Sequence, residues 1–226
     1  MVSDQVGGNG VATRQRQRPG TQPEINEFRR LRLMEATIAL LAEKGVAGAT
    51  VRAITARAGT SHGLIGHYYT SKDELLVAAL DHLFTTVADE IAQQVARAGD
   101  DPLDRLRAMP RAMFSPQVFT ETTRSAFLAL WHEVRFNAAV REANRQLYIG
   151  YRNRSLAHFR SSAAHLGIAI DAEGAATGLI AMIDGLWLEL SIGAGSTTRQ
   201  KAVALCHDYI DHQLGLAPER MRQQSD

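Results

Sequence analysis

The chain has 226 residues, 45% of them hydrophobic and 22% charged, and its 25 Lys+Arg against 24 Asp+Glu leave a net charge of +1. A single cysteine, Cys206, excludes a disulfide scaffold, and no apolar run approaches the ~18 residues that a membrane span needs. A total charge near zero argues against a nucleic-acid partner unless the charge is unevenly spread.

Residues 1–24 are polar and rich in Gly, Gln, Arg and Thr, with little to bury. They are expected to form a disordered basic tail, because nothing would offset their ordering entropy. Arg14, Arg16 and Arg18 alternate there, as either a solvated leader or an arm that touches phosphates. The tail has no apolar stretch of the signal-peptide kind, so a cytoplasmic protein is expected.

From Ile25 onward the pattern is helical, and no period-2 run bounded by hairpin turns interrupts it. Leu33, Ala36, Thr37, Leu40 and Leu41 lie on one face of a first helix, Asn26 to Lys44, that Gly45 stops. Thr50 caps a second helix, Val51 to Ala58, closed by Gly59. A short third helix is expected over Ser61 to Tyr68. Ser71-Lys72-Asp73-Glu74 is a capping box that opens a long fourth helix ending at Gly99. Asp101-Pro102 and Ser115-Pro116 place Pro at the first position of helices five and six, the latter running to Phe136. Helix seven spans Ala139 to Leu166. Helix eight runs from the Asp171 cap to Ile192, before the Gly193-Ala194-Gly195-Ser196 break, and helix nine runs from Thr198 to Leu214. The expected fold is all-α with about nine helices. Its units are the tail 1–24, a three-helix head 25–72, a bundle 73–214 and a flexible tail 215–226.

Two short helices joined by Gly59-Thr60 after a longer one have helix-turn-helix spacing, in which the second helix presents side chains to a groove about 12 Å wide. The stretch from Gly45 to Leu76 resembles the DNA-binding domain of the TetR family of repressors. The matching residues are Gly45, Ala49-Thr50-Val51, Ile54, Ala58-Gly59, Ser61, Gly63, Ile65, His67-Tyr68-Tyr69, Lys72 and Leu75-Leu76. Val51, Ile54, Ala58 and Ile65 pin the two short helices together. Thr50, Ser61 and Arg52 are candidates for phosphate contact at helix N-termini. The resemblance implies phosphate contact at Lys72 and adds Tyr68 to the DNA-facing set. His62, Leu64 and His67 are candidates for base edges, and Gly63 allows close approach. Thr55 and Gly66 depart from the family pattern, which usually has Ala and Tyr there.

Charge is in fact unevenly spread. Residues 10–72 hold ten basic and four acidic side chains, a local balance of +6, while the remainder from residue 73 is acidic by four. Phosphate contact supplies most non-specific DNA affinity, so this distribution outweighs the total.

In the second half, Leu179, Met182, Ile183, Leu186, Trp187 and Leu190 form one apolar stripe, and Ala202, Leu205, Cys206, Tyr209 and Ile210 another. Both fit an internal core. In the resembled family the last two helices pair with their copies, which implies a homodimer on a palindromic operator with half-sites ~34–36 Å apart. Phe127-Leu128-Ala129-Leu130-Trp131 and Ile183-Asp184-Gly185-Leu186-Trp187-Leu188 resemble the BetI-like subgroup, repressors of choline-to-betaine genes. A small quaternary ammonium effector is implied. Phe127, Trp131, Tyr148, Tyr151 and Trp187 are candidate rings for it, and Glu133 or Asp184 the candidate charge. The same rings fit an ordinary core.

No cofactor or metal is expected. Cys206 sits on an apolar stripe, and His62 and His67 fall on different helical faces. No nucleophile elbow, paired-carboxylate site or phosphate loop points to catalysis. The competing readings are an all-helical enzyme or metal protein with a vestigial head, and a non-specific architectural DNA binder.

Overall fold

The computed structural model describes residues 21–193, 195 and 197–216, with His62 and Leu64 described by backbone alone. The arginine-bearing tail and the last ten residues lie outside the described residues. Nine helices and no strand are present among those described: α1 (Gln22–Gly48), α2 (Val51–Ala58), α3 (His62–Ile65), α4 (Lys72–Arg97), α5 (Pro102–Met113), α6 (Glu121–Phe136), α7 (Ala138–Leu166), α8 (Ala172–Ile192) and α9 (Arg199–Gln213).

Local signals place most of these ends. The hydroxyls of Thr50, Ser71 and Thr198 and the carboxylates of Asp101 and Asp171 accept the free N–H groups of the helices that follow them. Gly59, Gly167 and Gly193 close helices in the left-handed conformation, at φ 68°, 67° and 65°.

Four boundaries differ from expectation. Gly45 does not end α1 at Lys44: it kinks the helix at φ 63°, and the helix runs on to Gly48. α1 begins at Gln22, so residues 22–24 are helix rather than tail. The Thr21 hydroxyl accepts the Glu24 N–H, and the Glu24 carboxylate accepts the Thr21 N–H at 3.0 Å. α3 is a single turn that stops at Ile65 instead of Tyr68, because Gly66 has low helix propensity and the chain turns there. Ser115-Pro116 starts a turn, and α6 begins only after Thr120, whose hydroxyl accepts the Thr123 N–H at 3.1 Å. The turn spends its apolar residues on the core. Phe114, Val118 and Phe119 are buried, and the Phe119 ring meets Trp187 edge-on at 4.6 Å.

Leu33, Leu40 and Leu41 of α1, Ile54 of α2 and Leu75, Leu76 of α4 belong to one continuous core with the bundle. α1 packs on α6 as well as on α2 and α4, so the head leans against the body through a bundle helix. The anticipated stripes of α8 and α9 are internal except at Leu205, which is exposed: Leu179, Ile183, Trp187, Ala202, Cys206 and Ile210 are buried, and Met182, Leu186, Leu190 and Tyr209 are partly buried against the core. Contrary to the expectation of no span-length apolar segment, α8 is long and apolar enough to cross a membrane by length and composition, with a mean hydropathy of 1.4. Only 33% of that window is buried within the chain.

Candidate functional site

The residues expected to face DNA fall at the start of α2, in and around α3, and at the start of α4. Thr50, Arg52, Ser61, Gly63 and His67 are exposed there. A Cβ at Gly63 would meet nothing within 4 Å, so this backbone faces open space. The side chains of His62 and Leu64 lie outside the described residues, and only their place in α3 is given.

Two predicted residues are already engaged inside the head. The Tyr68 hydroxyl donates to Asn26 Oδ1 at 3.1 Å, which ties the end of the α3 turn to α1. The Lys72 ammonium donates to the Val46 carbonyl at 2.9 Å, which leaves further N–H donors on the same nitrogen. Thr55 is buried. Its hydroxyl donates back to the Val51 and Arg52 carbonyls at 3.0 and 3.1 Å, which explains how a hydroxyl stands at a core position.

A cavity of about 300 Å³ lies in the bundle between α4, α5, α6, α7 and α8. Phe127, Trp131, Tyr148, Tyr151, Asp184 and Trp187 line it together, although they come from three different helices. Glu133 does not line it. Two residues beyond Trp131 on α6, it is turned about 200° from that ring, while Asp184 reaches the cavity from α8. Phe84, Met109, Met113, Arg105, Arg154 and His158 also line it. Sequence reading missed these six. Phe84 is apolar and falls on the long fourth helix, but nothing local marks which helix it would face.

The rings are mutually packed. Phe84 meets Phe127 edge-on at 5.1 Å and Tyr148 at 5.8 Å. Phe127 lies 6.1 Å from Trp131 and from Trp187. The Tyr148 hydroxyl donates to Asp184 Oδ2 at 3.1 Å. Burial raises the Asp184 carboxyl to about 6, and the Tyr148 hydrogen bond opposes that rise only in part. Burial, with the Asp184 charge nearby, also pushes the Tyr148 and Tyr151 phenols up, so both stay protonated. The arrangement is a ring-walled chamber with one desolvated carboxylate. It can hold a compact cation by ring quadrupoles and charge.

Both sites are joined through the same helices. α4 carries Lys72 at its head end and Phe84 in the cavity wall. Asn137, between α6 and α7, donates its side-chain amide to Asp73 at 2.8 Å while its carbonyl caps α7.

Comparison with known proteins follows the same division. Residues 33–79 match the bacterial regulatory proteins of the tetR family, and residues 102–215 match the C-terminal domain of BetI-type transcriptional repressors. The HTH-type transcriptional regulator BetI of Stenotrophomonas maltophilia is 34% identical over 200 residues, spanning 85% of this chain and 96% of that protein. Its namesake from Burkholderia thailandensis is 33% identical, spanning 86% and 96%. A solved structure from Pseudomonas aeruginosa PAO1 superposes with a TM-score of 0.76 at 34% identity, covering 86% of this chain and 94% of that one. A Saccharomonospora viridis protein solved in complex with choline has a TM-score of 0.69 at 24% identity, covering 81% and 95%.

Proposed function

The chain belongs to the TetR family of bacterial transcriptional regulators, with a BetI-type repressor C-terminal domain, and from that premise we propose that it is a homodimeric repressor released from its operator by a quaternary ammonium such as choline. The observation that carries the effector reading is the Asp184 carboxylate set among the rings of Phe127, Trp131, Tyr148, Tyr151 and Trp187. A ring-walled carboxylate is the arrangement that favours a cation too weakly hydrated to demand hydrogen bonds. The choline-bound protein of Saccharomonospora viridis has the same fold and is consistent with it.

In this reading residues 25–72 bind DNA and residues 73–214 bind effector and partner. Thr50, Arg52, Ser61 and Lys72 hold phosphates, with Tyr68 positioning the turn, and His62, Gly63, Leu64 and His67 meet base edges. The dimer surface is the outward side of α8 and α9. Ala181, Gly185, Leu188 and Ile192 recur there at helical spacing and are exposed, as is Leu205 of α9. An apolar face of this kind, on a helix that buries a third of its apolar window, is what a second copy covers. The role is played in the cytoplasm and requires no catalytic step.

Effector in the cavity pushes on α4 and α6, and α6 carries α1 and the head with it. Coupling of about 1–3 kcal/mol, about 5–150-fold in operator affinity, is typical of such two-state linkage. The test is calorimetric titration of the dimer with choline and betaine aldehyde, together with anisotropy of a labelled operator. Millimolar ligand without heat of binding and without operator release would overturn the effector reading.

A further inference from the structure

The cavity is not uniform along its length. α4 and α7 run side by side in the same direction. Phe84 meets Tyr148 near the middle of the two helices, while farther along them burial first, and then Arg105, which donates to the Gly99 carbonyl just past α4, lower the basicity of His158. The deep end holds Asp184, Tyr151 and Trp187, the last two no more than 9% exposed. The other end is open and cationic. Arg154 is exposed and makes no ion pair among the described residues, and the Arg105 side chain is 39% exposed, paired with Asp100 at the surface. Between the ends the walls are apolar: Val87, Ile91, Val95, Met109 and Met113.

A bare cation would pass two arginines to reach the carboxylate, and nothing about it would use them. A cavity of about 300 Å³ is also in the size range of sites for drug-sized ligands. Along α7, Arg154 stands six positions beyond Tyr148, which holds Asp184, a backbone rise of about 9 Å, and its guanidinium reaches back to within 3.5 Å of where a Cβ on Gly150 would lie.

We propose that the effector is an extended zwitterion: a quaternary ammonium seated at Asp184 and a carboxylate held at the mouth by Arg154, joined by an apolar spacer along Val87, Ile91 and Met109. This rests on the ammonium reading above and specifies the rest of the molecule. Arg154 supplies a forked donor that matches a carboxylate, and its exposure lets the charged end remain partly hydrated. The apolar spacer excludes water from the middle of the chamber and sets the distance between the charges.

The experiment is calorimetry with two matched probe series: trimethylammonio-alkanoates of graded spacer length, and alkyltrimethylammonium ions of the same lengths. The carboxylates are expected to overtake the plain ions once the spacer reaches Arg154, by about tenfold or more. In the Arg154→Gln protein the two series are expected to converge. Equal affinity of the two series at every length in the unaltered protein, or a carboxylate advantage that survives Arg154→Gln, would overturn the proposal while leaving the ammonium reading in place. Failure of both series to bind would overturn the ammonium reading and this proposal with it.

Discussion

Arg107 of α5 and Asp211 of α9 stand 104 residues apart in the chain and share an ion pair buried on both sides, with Asp211 wholly excluded from solvent. The buried His207 ring, one turn earlier on α9, hydrogen-bonds the Arg107 carbonyl at 3.0 Å through Nε2. The pair therefore fixes a cavity wall, since α5 contributes Arg105, Met109 and Met113, to the helix that borders the proposed dimer surface.

Removing one partner of a buried pair strands the other charge in a medium that cannot solvate it. Asp211→Ala is therefore expected to cost about 3–5 kcal/mol of folding stability. Urea unfolding of the dimer at fixed protein concentration measures it. A loss below about 1 kcal/mol would show that water reaches Arg107 once the carboxylate is gone.

Asp184 makes effector binding pH-dependent. Its folded value of about 6 lies above the ordinary 3.8, so the folded protein holds this proton more tightly than the unfolded chain does. The associated stability is present below 3.8 and is lost as pH rises through about 6, on the order of 2–3 kcal/mol. A bound cation favours the ionised form. Choline affinity is thus expected to rise between pH 5 and 7 and then level off, because Tyr148 and Tyr151 stay protonated. In Asp184→Asn, affinity is expected to be weak and flat across that range, while stability at pH 7 rises. Calorimetry across the pH series checks both, and a profile unchanged by the substitution would remove Asp184 from the cation site.

Gly66 ends α3 early without needing a left-handed backbone. A Cβ there would meet the Gly63 carbonyl oxygen at 3.7 Å, an ordinary contact. Gly66→Ala is expected to stabilise the protein by about 0.5–1 kcal/mol and to raise the thermal midpoint. A lowered midpoint would mean that the turn after Ile65 needs the glycine.

Lys72 is expected to act twice. Lys72→Ala loses the bond to the Val46 carbonyl, at a cost of about 1 kcal/mol, and one phosphate contact, which lowers the salt slope of operator binding by about 0.9. Anisotropy titrations at several salt concentrations, on operator and unrelated duplex alike, read the slope. An unchanged slope with reduced stability would leave Lys72 only the α1–α4 brace.

The head and the helix ends were legible in the sequence because their signals are local. Thr50, Ser71, Asp101, Asp171 and Thr198 satisfy N–H groups two or three residues away, and Gly59 and Gly167 turn the chain where they stand. The +6 balance of residues 10–72 is likewise a property of a list. The choice of Asp184 over Glu133 is not, nor is the recruitment of Phe84 and Arg154 to the cavity. Neither is the fate of α8, where Leu179, Ile183 and Trp187 of the stripe turn inward while Leu188 and Ile192, outside it, stay exposed. Helical periodicity states which residues share a face, but only packing against helices far away in the chain states what that face meets. For this protein the sequence by itself determined the helices, the caps and the basic head. Tertiary structure decided which carboxylate the rings enclose, because burial and partnership depend on neighbours dozens of residues distant.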